Sequence, residues 1–191
     1  MGKSFLTEQD LALGCIRKDR DAQGELYAKY AARLLALSLR YIENREDARD
    51  LMHDAMIKAM DNFKSFRFSG EGSIWAWLSR ITVNMALDRL KENSRFRQIP
   101  FELVSEGEIE DALEPDAESV RKIPDDVLDE IIAGLPPVRR AVFNMYCIDG
   151  FSHKEIARAL GITERGSTSI MAKARSSVKK AILSYSNKTG Q

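Results

Sequence analysis

Polar and basic side chains near the C-terminus have the types and the spacing needed to bind a nucleic acid. Ser152 and Glu155 are three residues apart, as in a capping box, where the hydroxyl accepts an amide N–H and the carboxylate reaches back. Gly161 follows where a turn between two helices needs a positive φ, and Thr163 can cap the next helix. We therefore predict a helix-turn-helix between about Ser152 and Arg175.

The second helix of this motif would present its first turns outward, as insertion into the major groove requires. The residues expected to contact base edges or phosphates are Arg158, Arg165, Thr168, Ser169, Ala172 and Lys173. An ordinary helical hairpin with a solvated basic face would show similar apolar spacing. The capping box, the turn glycine and the local positive charge together favour DNA binding. Ser167 occupies a position that is usually apolar in such motifs.

The charge of the chain is distributed unevenly. The totals are equal, with 29 Lys and Arg residues against 29 Asp and Glu residues. Residues 98–120 contain eight acidic residues and no Lys or Arg, whereas the chain from Phe151 onward contains eight basic residues and two acidic ones. The neutral total therefore conceals an acidic middle and a basic end, and the basic end suits a polyanionic partner.

Other side chains that could do chemistry are isolated from one another. His53 and His153 lack partners at metal-ligand spacing, and Cys15 and Cys147 form no CxxC pair. The sequence shows no glycine-rich phosphate loop and no Ser/His/Asp or Cys/His set. No apolar run approaches the roughly 18 residues of a membrane span. We expect a cytoplasmic protein that is not an enzyme and that uses no metal, cofactor or small-molecule substrate.

Apolar residues recur at helical spacing in both halves of the chain, and no alternation of period two predicts a sheet. In the first half, three such runs extend over residues 26–41, 48–63 and 74–85. In the second half, a new helix is expected to begin at Pro136-Pro137, since proline is well tolerated in a first turn. We predict an all-α fold in which two small helical domains, residues 1–96 and 125–191, are joined by an acidic flexible linker, residues 97–124.

The two halves together resemble the sigma factors of the extracytoplasmic-function (ECF) group, the small type with only the second and fourth conserved regions. In the first half the matching residues are Glu25-Leu-Tyr27, Tyr30, Asn44-Arg-Glu-Asp-Ala48, Asp50-Leu51, Trp77-Leu-Ser-Arg-Ile81, Asn84 and Asp88. In the second half they are Leu135-Pro136, Arg139, Glu155-Ile-Ala157, Leu160-Gly-Ile162 and Ala174-Arg175. The order and spacing of these motifs are specific, and the resemblance covers roughly residues 20–95 and 125–183.

The resemblance implies a transcription initiation factor that binds core RNA polymerase and directs it to promoter DNA. The first domain, sigma region 2, would read and melt the −10 element, and the second, sigma region 4, would read the −35 element. The acidic linker would thread through the polymerase cleft, although an inert spacer explains its composition equally well. Thr168 departs from the family, because many members carry a basic residue there.

The third predicted helix carries a stripe suited to exposed bases and backbone phosphates. The stripe consists of Arg80, Asn84, Asp88, Lys91 and Arg95. Asn84 can form paired hydrogen bonds with a base edge. In the family the preceding loop captures a flipped base, which makes Phe66 and Trp75 candidates for DNA contact. A core role is an equally good interpretation of Phe66, and we expect Phe63 and Trp77 to be core residues.

The second predicted helix carries an acidic stripe opposite its apolar face. Its members are Asp47, Asp50, Asp54 and Asp61. Such a stripe complements a basic protein surface, although a solvated charged face looks the same from sequence. In the family this helix docks on the clamp of the largest polymerase subunit, and the resemblance assigns the stripe to the core polymerase interface.

The resemblance also implies a further partner and leaves one alternative open. Small sigma factors of this type are often held inactive by an anti-sigma factor, so we expect such a partner to cover the interfaces of both domains. A polymerase-independent transcriptional regulator could use the same helix-turn-helix. That alternative predicts tight binding to duplex DNA by the chain alone.

Overall fold

The computed structural model describes residues 7–92 and 123–189 of the chain, and these residues are helical, with no β-strand among them. The chain divides into two compact units after Leu90. The predicted all-α fold of two helical bodies is therefore confirmed. Residues 97–122 of the predicted acidic linker, and Arg95 of the predicted stripe, lie outside the described residues. The domain boundaries at residues 96 and 125 stay predictions.

The first unit consists of long helices joined by short turns. In chain order these are α1 (Glu8–Ile16), α2 (Arg20–Tyr41), α3 (Arg45–Asn62), a 3₁₀ turn (Phe63–Ser65) and α4 (Ser73–Glu92). Helices α2 and α3 begin at side-chain caps: the Asp19 carboxylate accepts the Asp21 N–H at 2.9 Å, and the Asn44 amide oxygen accepts the Glu46 N–H at 2.9 Å.

The apolar stripes predicted for the first unit form its core. In α2 and α3 every member of the predicted stripes is buried, from Leu26 to Tyr41 and from Ala48 to Phe63. In α4, Ile74 and Leu78 are buried, whereas the residues on the flanks of the stripe are only half-buried. Burying apolar surface on one face of each helix holds the unit together and leaves the opposite faces for partners.

Helix α1 was not singled out by the sequence analysis. Thr7 caps it by accepting the Asp10 N–H at 3.0 Å, and Leu11, Ala12 and Cys15 bury their side chains in the same core as Phe63. The turn into α2 passes through Lys18, a non-glycine residue with a φ of 60°. This helix therefore completes the core beneath the segment that precedes α4.

The second unit is a set of shorter helices ending in one long helix. In chain order these are α5 (Asp125–Ala133), α6 (Pro137–Phe143), a π-helical segment (Asn144–Ile148), α7 (His153–Leu160) and α8 (Glu164–Thr189). Apolar residues at helical spacing after Pro137, namely Val138, Ala141, Val142 and Met145, are buried. Pro137 lies in the first turn of α6, as predicted. The core of this unit supports the pair α7 and α8.

Candidate nucleic-acid interface

Helices α7 and α8 form the predicted helix-turn-helix, and their ends are set by the residues that the sequence analysis named. Ser152 Oγ accepts the Glu155 N–H at 3.3 Å, while Glu155 Oε2 accepts the Ser152 N–H at 2.9 Å, which completes the capping box. Gly161 ends α7 with a φ of 71°, and Thr163 Oγ1 accepts the Gly166 N–H at 3.0 Å at the start of α8. The two helices are thus fixed by local contacts.

The unusual polar residue of the motif, Ser167, is fully buried, and its hydrogen-bond partner is the half-buried His153. Its hydroxyl lies 3.0 Å from Nδ1 of His153, and the His153 ring stacks on Tyr146 with 4.4 Å between the ring centroids. A hydroxyl at this position is tolerated because the imidazole completes its hydrogen bonding. The contact ties the first residue of α7 to α8.

The predicted DNA contacts of the second unit differ in exposure. Arg158, Arg165 and Thr168 are exposed. Ser169, Ala172 and Lys173 are half-buried. The Thr168 hydroxyl donates to the Glu164 carbonyl oxygen at 3.1 Å, so its proton is already engaged within α8. Ile170 is completely buried and belongs to the core rather than to the reading surface.

The stripe predicted on α4 lies on the outer face of the first unit. Arg80, Asn84 and Asp88 are exposed, and Lys91 is half-buried in the last turn. Residues four apart on a helix share a face, so these side chains form one continuous row. The row offers a guanidinium, an amide and a carboxylate to a partner, which is a suitable set for base edges and backbone.

The two tryptophans of α4 lie in different surroundings. The guanidinium of Arg33, on α2, covers the ring of Trp75 at 4.0 Å from the ring centroid. On the helix Trp75 is offset by about 140° from Arg80, whereas Trp77 is offset by about 60°. The tryptophan next to the polar stripe is therefore Trp77, which is half-buried. A contact between Trp75 and DNA stays a prediction.

Aromatic side chains anchor the segment that leads into α4. Phe66 is buried, with its ring centroid 5.3 Å from those of both Phe63 and Trp77. Phe66 therefore packs as a core residue in this structure, the role that the sequence left open, and its contact with DNA would require it to leave this cluster. Phe63 is buried as predicted. Phe68 is 38% exposed and presents an aromatic surface that the sequence analysis did not select.

A buried carboxylate that the sequence analysis missed closes the other end of this segment. Glu8, in the first turn of α1, is only 4% exposed. Its oxygens accept the Gly72 N–H at 2.8 Å and the Ile74 N–H at 2.6 Å. From sequence Glu8 looks like an ordinary acidic residue in a first helical turn. Its partners lie 64 and 66 residues away, so no local pattern could reveal the contact.

The four acidic residues predicted on α3 are all exposed, and the carboxylate of one of them, Asp54, is paired within the unit. Arg89, on α4, donates from Nη2 to the Asp54 carboxylate at 2.5 Å and from Nη1 to the Asp47 carbonyl oxygen at 2.9 Å. The other stripe members are Asp50 and Asp61. The acidic stripe thus borders a basic residue of the helix that carries the polar stripe.

Burial raises the pKa of three groups. The Cys15 thiol has a pKa of about 11, because burial and the nearby acids Asp19 and Glu25 disfavour the thiolate. Tyr30 has a pKa of about 12, chiefly from burial with a contribution from Glu8. The pKa of Cys147 is also raised by desolvation. Neither of the two thiols, Cys15 and Cys147, is therefore an activated nucleophile.

Within residues 7–92 and 123–189, no group of three or more His, Cys, Asp and Glu side chains is arranged to hold a metal ion. No helix in the same ranges combines the length and the hydropathy needed to cross a membrane. The functional surfaces predicted from the sequence are the helix-turn-helix, the polar stripe of α4 and the acidic stripe of α3.

Two helical units, the second ending in a helix-turn-helix with exposed basic residues, define a DNA-binding protein. Residues 26–96 match the family model of sigma-70 region 2, and residues 125–178 match that of sigma-70 region 4. The chain belongs to the sigma-70 family and, within it, to the ECF group of RNA polymerase sigma factors. Such a protein binds core RNA polymerase and directs promoter-specific transcription initiation.

Proteins named as RNA polymerase sigma factors are similar to this chain over most of their length. The ECF RNA polymerase sigma factor SigM of Mycobacterium tuberculosis is 28% identical over 97% of this chain and 89% of its own. The RNA polymerase sigma-H factor of Pseudomonas aeruginosa is 27% identical over 92% of this chain and 93% of its own. These relatives support a sigma factor and give no support to a polymerase-independent regulator.

A solved structure shares the fold. It is the sigma factor RpoE of Bartonella quintana in complex with the anti-sigma factor NepR, with a TM-score of 0.53 and 19% sequence identity. The match covers 84% of this chain and 96% of that chain. The helical architecture described above is therefore that of a known sigma factor.

Proposed function

We propose that the first unit reads and melts the −10 element through α4 while the second unit reads the −35 element through α8. The observation that carries this proposal is the presence, in one chain, of the exposed stripe at Arg80, Asn84 and Asp88 and a helix-turn-helix with Arg165 and Thr168 exposed. Core polymerase would hold the two units at the spacing of the two promoter elements.

At the −35 element, the first turns of α8 enter the major groove. Arg165 has the donor geometry for a guanine edge, and Thr168 and Ser169 offer hydroxyls. Ala172 would make an apolar contact with a thymine methyl group, and Lys173 would reach a phosphate. Arg158, at the end of α7, would bind the backbone and set the position of the reading helix on the duplex.

At the −10 element, the α4 stripe binds the separated strand. Asn84 would pair with the edge of an extruded base, while Arg80 and Lys91 hold phosphates and Asp88 accepts from an exocyclic amine. Arg95, a member of the stripe predicted from the sequence, would supply a further cation for the backbone. An unpaired base loses its stacking energy, a few kcal/mol, and needs an aromatic neighbour to offset that loss. Phe68 has an exposed surface for this purpose. Phe66 would have to leave its cluster with Phe63 and Trp77, and Trp75 would have to emerge from beneath Arg33.

Core polymerase docks on α3 in this proposal. Asp47, Asp50, Asp54 and Asp61 present negative charge to a basic surface on the clamp of the largest polymerase subunit. Charge complementarity of this kind accelerates association and orients the partners, and it weakens as salt rises. The catalysis of RNA synthesis belongs to the polymerase, and this chain contributes recognition only, with no cofactor or small-molecule substrate.

An anti-sigma factor is the proposed inhibitor. The Bartonella quintana relative is held in complex with the anti-sigma factor NepR. A partner that covers the acidic stripe of α3 and the reading face of α8 would block polymerase and promoter together. Affinity purification of this chain from its own cells tests the idea, because a co-purifying non-polymerase protein that abolishes transcription in vitro is expected.

The test of the proposed function is run-off transcription with core polymerase and a library of random promoters. We expect enrichment of templates with two conserved elements at a fixed spacing, and no enrichment with core polymerase alone. Asn84→Ala should lower initiation by about tenfold, the loss of one base contact. Gln9→Ala, which removes an exposed amide from α1, is the matched control and should leave initiation unchanged.

Two outcomes would overturn the proposal. One is the absence of any enriched promoter in the presence of this chain. The other is tight, sequence-specific binding of duplex DNA by the chain alone with no response of transcription to core polymerase, which would support the polymerase-independent regulator.

A further inference from the structure

The segment between Phe66 and Gly72 is held at its two ends by different parts of the first unit. At one end Phe66 is buried against Phe63 and Trp77. At the other end Glu8 binds the Gly72 and Ile74 amides. Between these anchors, residues 67–69 and Glu71 are exposed and Gly70 is half-exposed. The segment is therefore a short surface loop with fixed ends.

The N-terminus of α4 has no capping side chain of its own. Gly72 occupies the N-cap position, since its carbonyl accepts the Ala76 N–H at 3.0 Å, and it has a φ of 86°. Four N–H groups at a helix start need acceptors from outside the helix. Glu8 accepts two of them from α1, the Gly72 and Ile74 N–H groups, while the Gly70 carbonyl oxygen accepts the Ser73 N–H at 3.2 Å. The Ser73 hydroxyl also donates to Glu8 Oε1, at 3.4 Å. The carboxylate also lies favourably at the positive end of the α4 dipole.

We propose that Glu8 is a positioning residue for the −10 reader, acting through the loop Phe66–Gly72 and the first turn of α4. The inference rests on the proposed function, in which this loop and the α4 stripe receive the unpaired strand. Binding of a base is strongest when the loop already has the required shape, because ordering a free loop opposes binding. Helix α1 lies outside residues 26–96, which match sigma-70 region 2, yet it supplies this anchor.

A positioning role of Glu8 can be separated from a general effect on stability by comparison with another helix cap in the same unit. Helix α2 has an N-cap, Asp19, whose carboxylate accepts the Asp21 N–H at 2.9 Å. Asp19→Ala removes a cap from the same unit without touching the loop, so it is the matched control. Glu8→Ala removes the anchor. Glu8→Gln keeps one acceptor but turns an amide N–H toward backbone donors, so an intermediate effect is expected.

The experiment uses the full chain with core polymerase on a promoter enriched in the library above. Permanganate reactivity of −10 thymines measures promoter opening, and a template already unpaired over the −10 element measures strand capture. We expect Glu8→Ala to lower both promoter opening and strand capture by about tenfold or more, which corresponds to about 1.4 kcal/mol. The effect of Glu8→Gln should lie between that of Glu8→Ala and the wild type. Core polymerase affinity should stay within about twofold, a change of less than 0.5 kcal/mol.

A second variant, Gly72→Ala, tests the same role even if the Glu8→Ala chain does not fold. Gly72→Ala disturbs the same turn from the loop side, because a φ of 86° is strained for alanine, and open space surrounds the added methyl group. It should reproduce the defect in strand capture. Equal defects in Asp19→Ala and Glu8→Ala at matched melting temperature would overturn the proposal, as would normal opening by Glu8→Ala and Gly72→Ala.

The failure of this inference is distinguishable from failure of the proposed function. If the wild-type chain opens no promoter with core polymerase, the proposed function is wrong. If the wild type opens the promoter and Glu8→Ala opens it equally well, only the role of Glu8 is wrong.

Discussion

Arg89 on α4 binds the carboxylate of Asp54 on α3, with 2.5 Å between Nη2 and Oδ2, and so joins the helix proposed to read DNA to the helix proposed to bind polymerase. Its other guanidinium nitrogen binds the Asp47 carbonyl oxygen at 2.9 Å. Part of the negative charge of the acidic stripe is therefore already neutralised inside the unit. The four acids of the stripe are not equivalent.

Because the four acids of the stripe are not equivalent, two substitutions that each remove one negative charge should have different effects. Asp50→Asn should weaken binding to core polymerase by about threefold to tenfold at low salt, because it removes an exposed charge facing the partner. Asp54→Asn should weaken binding more strongly, because the same loss of one negative charge also leaves Arg89, a cation, unpaired beside the basic partner. Titration of labelled core polymerase at two salt concentrations measures both. An equal loss for the two variants would show that the freed Arg89 does not act on the partner.

The reading helix offers a second pair of substitutions. Arg165→Ala should relax the preference at one −35 base pair by about 1–3 kcal/mol, the value of a paired guanine contact. Arg158→Ala should instead weaken all promoters alike and flatten the salt dependence, because a phosphate contact carries no sequence information. Transcription from promoters varied at single −35 positions separates the two. A uniform loss from Arg165→Ala would assign that residue to the backbone.

Lys18→Gly tests the stability of the first unit at a position that has no proposed functional role. Its φ of 60° lies in the left-handed region, which costs a residue with a side chain about 1–2 kcal/mol. Lys18→Gly should therefore raise the free energy of unfolding by about 1 kcal/mol in urea titrations. The neighbouring residue Arg17 has a φ of −80°, so Arg17→Gly should lower the free energy of unfolding. A loss of stability with Lys18→Gly would contradict the assigned conformation.

The raised pKa values of Cys15 and Tyr30 predict sensitivity to alkaline pH. On unfolding, the Cys15 thiol returns from about 11 to its ordinary pKa of 9.0, so above pH 9 the unfolded chain releases a proton that the folded chain keeps. Its contribution is fully present below pH 9 and is lost as pH rises toward 11, by about 2–3 kcal/mol. Tyr30 adds a similar loss between pH 10 and about 12.

Substitutions isolate these two groups from the other residues that titrate at high pH. Cys15→Ala should remove the loss between pH 9 and 11, and Tyr30→Phe the loss between pH 10 and 12, when each is compared with the wild type by urea unfolding at fixed pH. Parallel pH profiles for variants and wild type would show that neither group changes its pKa on folding.

The parts of this protein that the sequence predicts are those whose contacts are local. The capping box at Ser152 and Glu155, the left-handed Gly161 and the cap at Thr163 each depend on residues within a few positions. The apolar stripes of α2 and α3 likewise follow from the helical repeat, because one face must be buried. For these elements the sequence pattern and the structure agree residue by residue.

The parts that the sequence does not predict depend on contacts between distant residues. Glu8 binds amides 64 and 66 positions away, and Arg89 reaches Asp54 across 35 positions. Whether Phe66 packs inward is decided by the placement of Phe63 and Trp77 in three dimensions. Such residues have no distinctive spacing, since an acid in a first turn or an arginine on a helix is common anywhere.

The buried pair Ser167 and His153 gives the last prediction, because it joins the two helices of the DNA-binding motif. Ser167 is completely buried, and its hydroxyl lies 3.0 Å from His153 Nδ1. His153→Ala removes this partner and the stacked contact with Tyr146, and it leaves a buried hydroxyl unsatisfied, at a cost of about 1–3 kcal/mol. Ser167→Ala should cost less, about 1 kcal/mol, since His153 is only half-buried and keeps access to water.

A double-mutant cycle measures the contact itself. If Ser167 and His153 interact directly, the double variant should be more stable than the sum of the single losses predicts, by about 0.5–1.5 kcal/mol. Urea unfolding of the four chains supplies the cycle, and −35 binding of the four holoenzymes shows whether the pair also orients α8. Because Ser167 lies at a usually apolar position, additive losses would mean that its hydroxyl is merely tolerated there. A positive coupling would make the serine and histidine a matched pair that holds the reading helix in place.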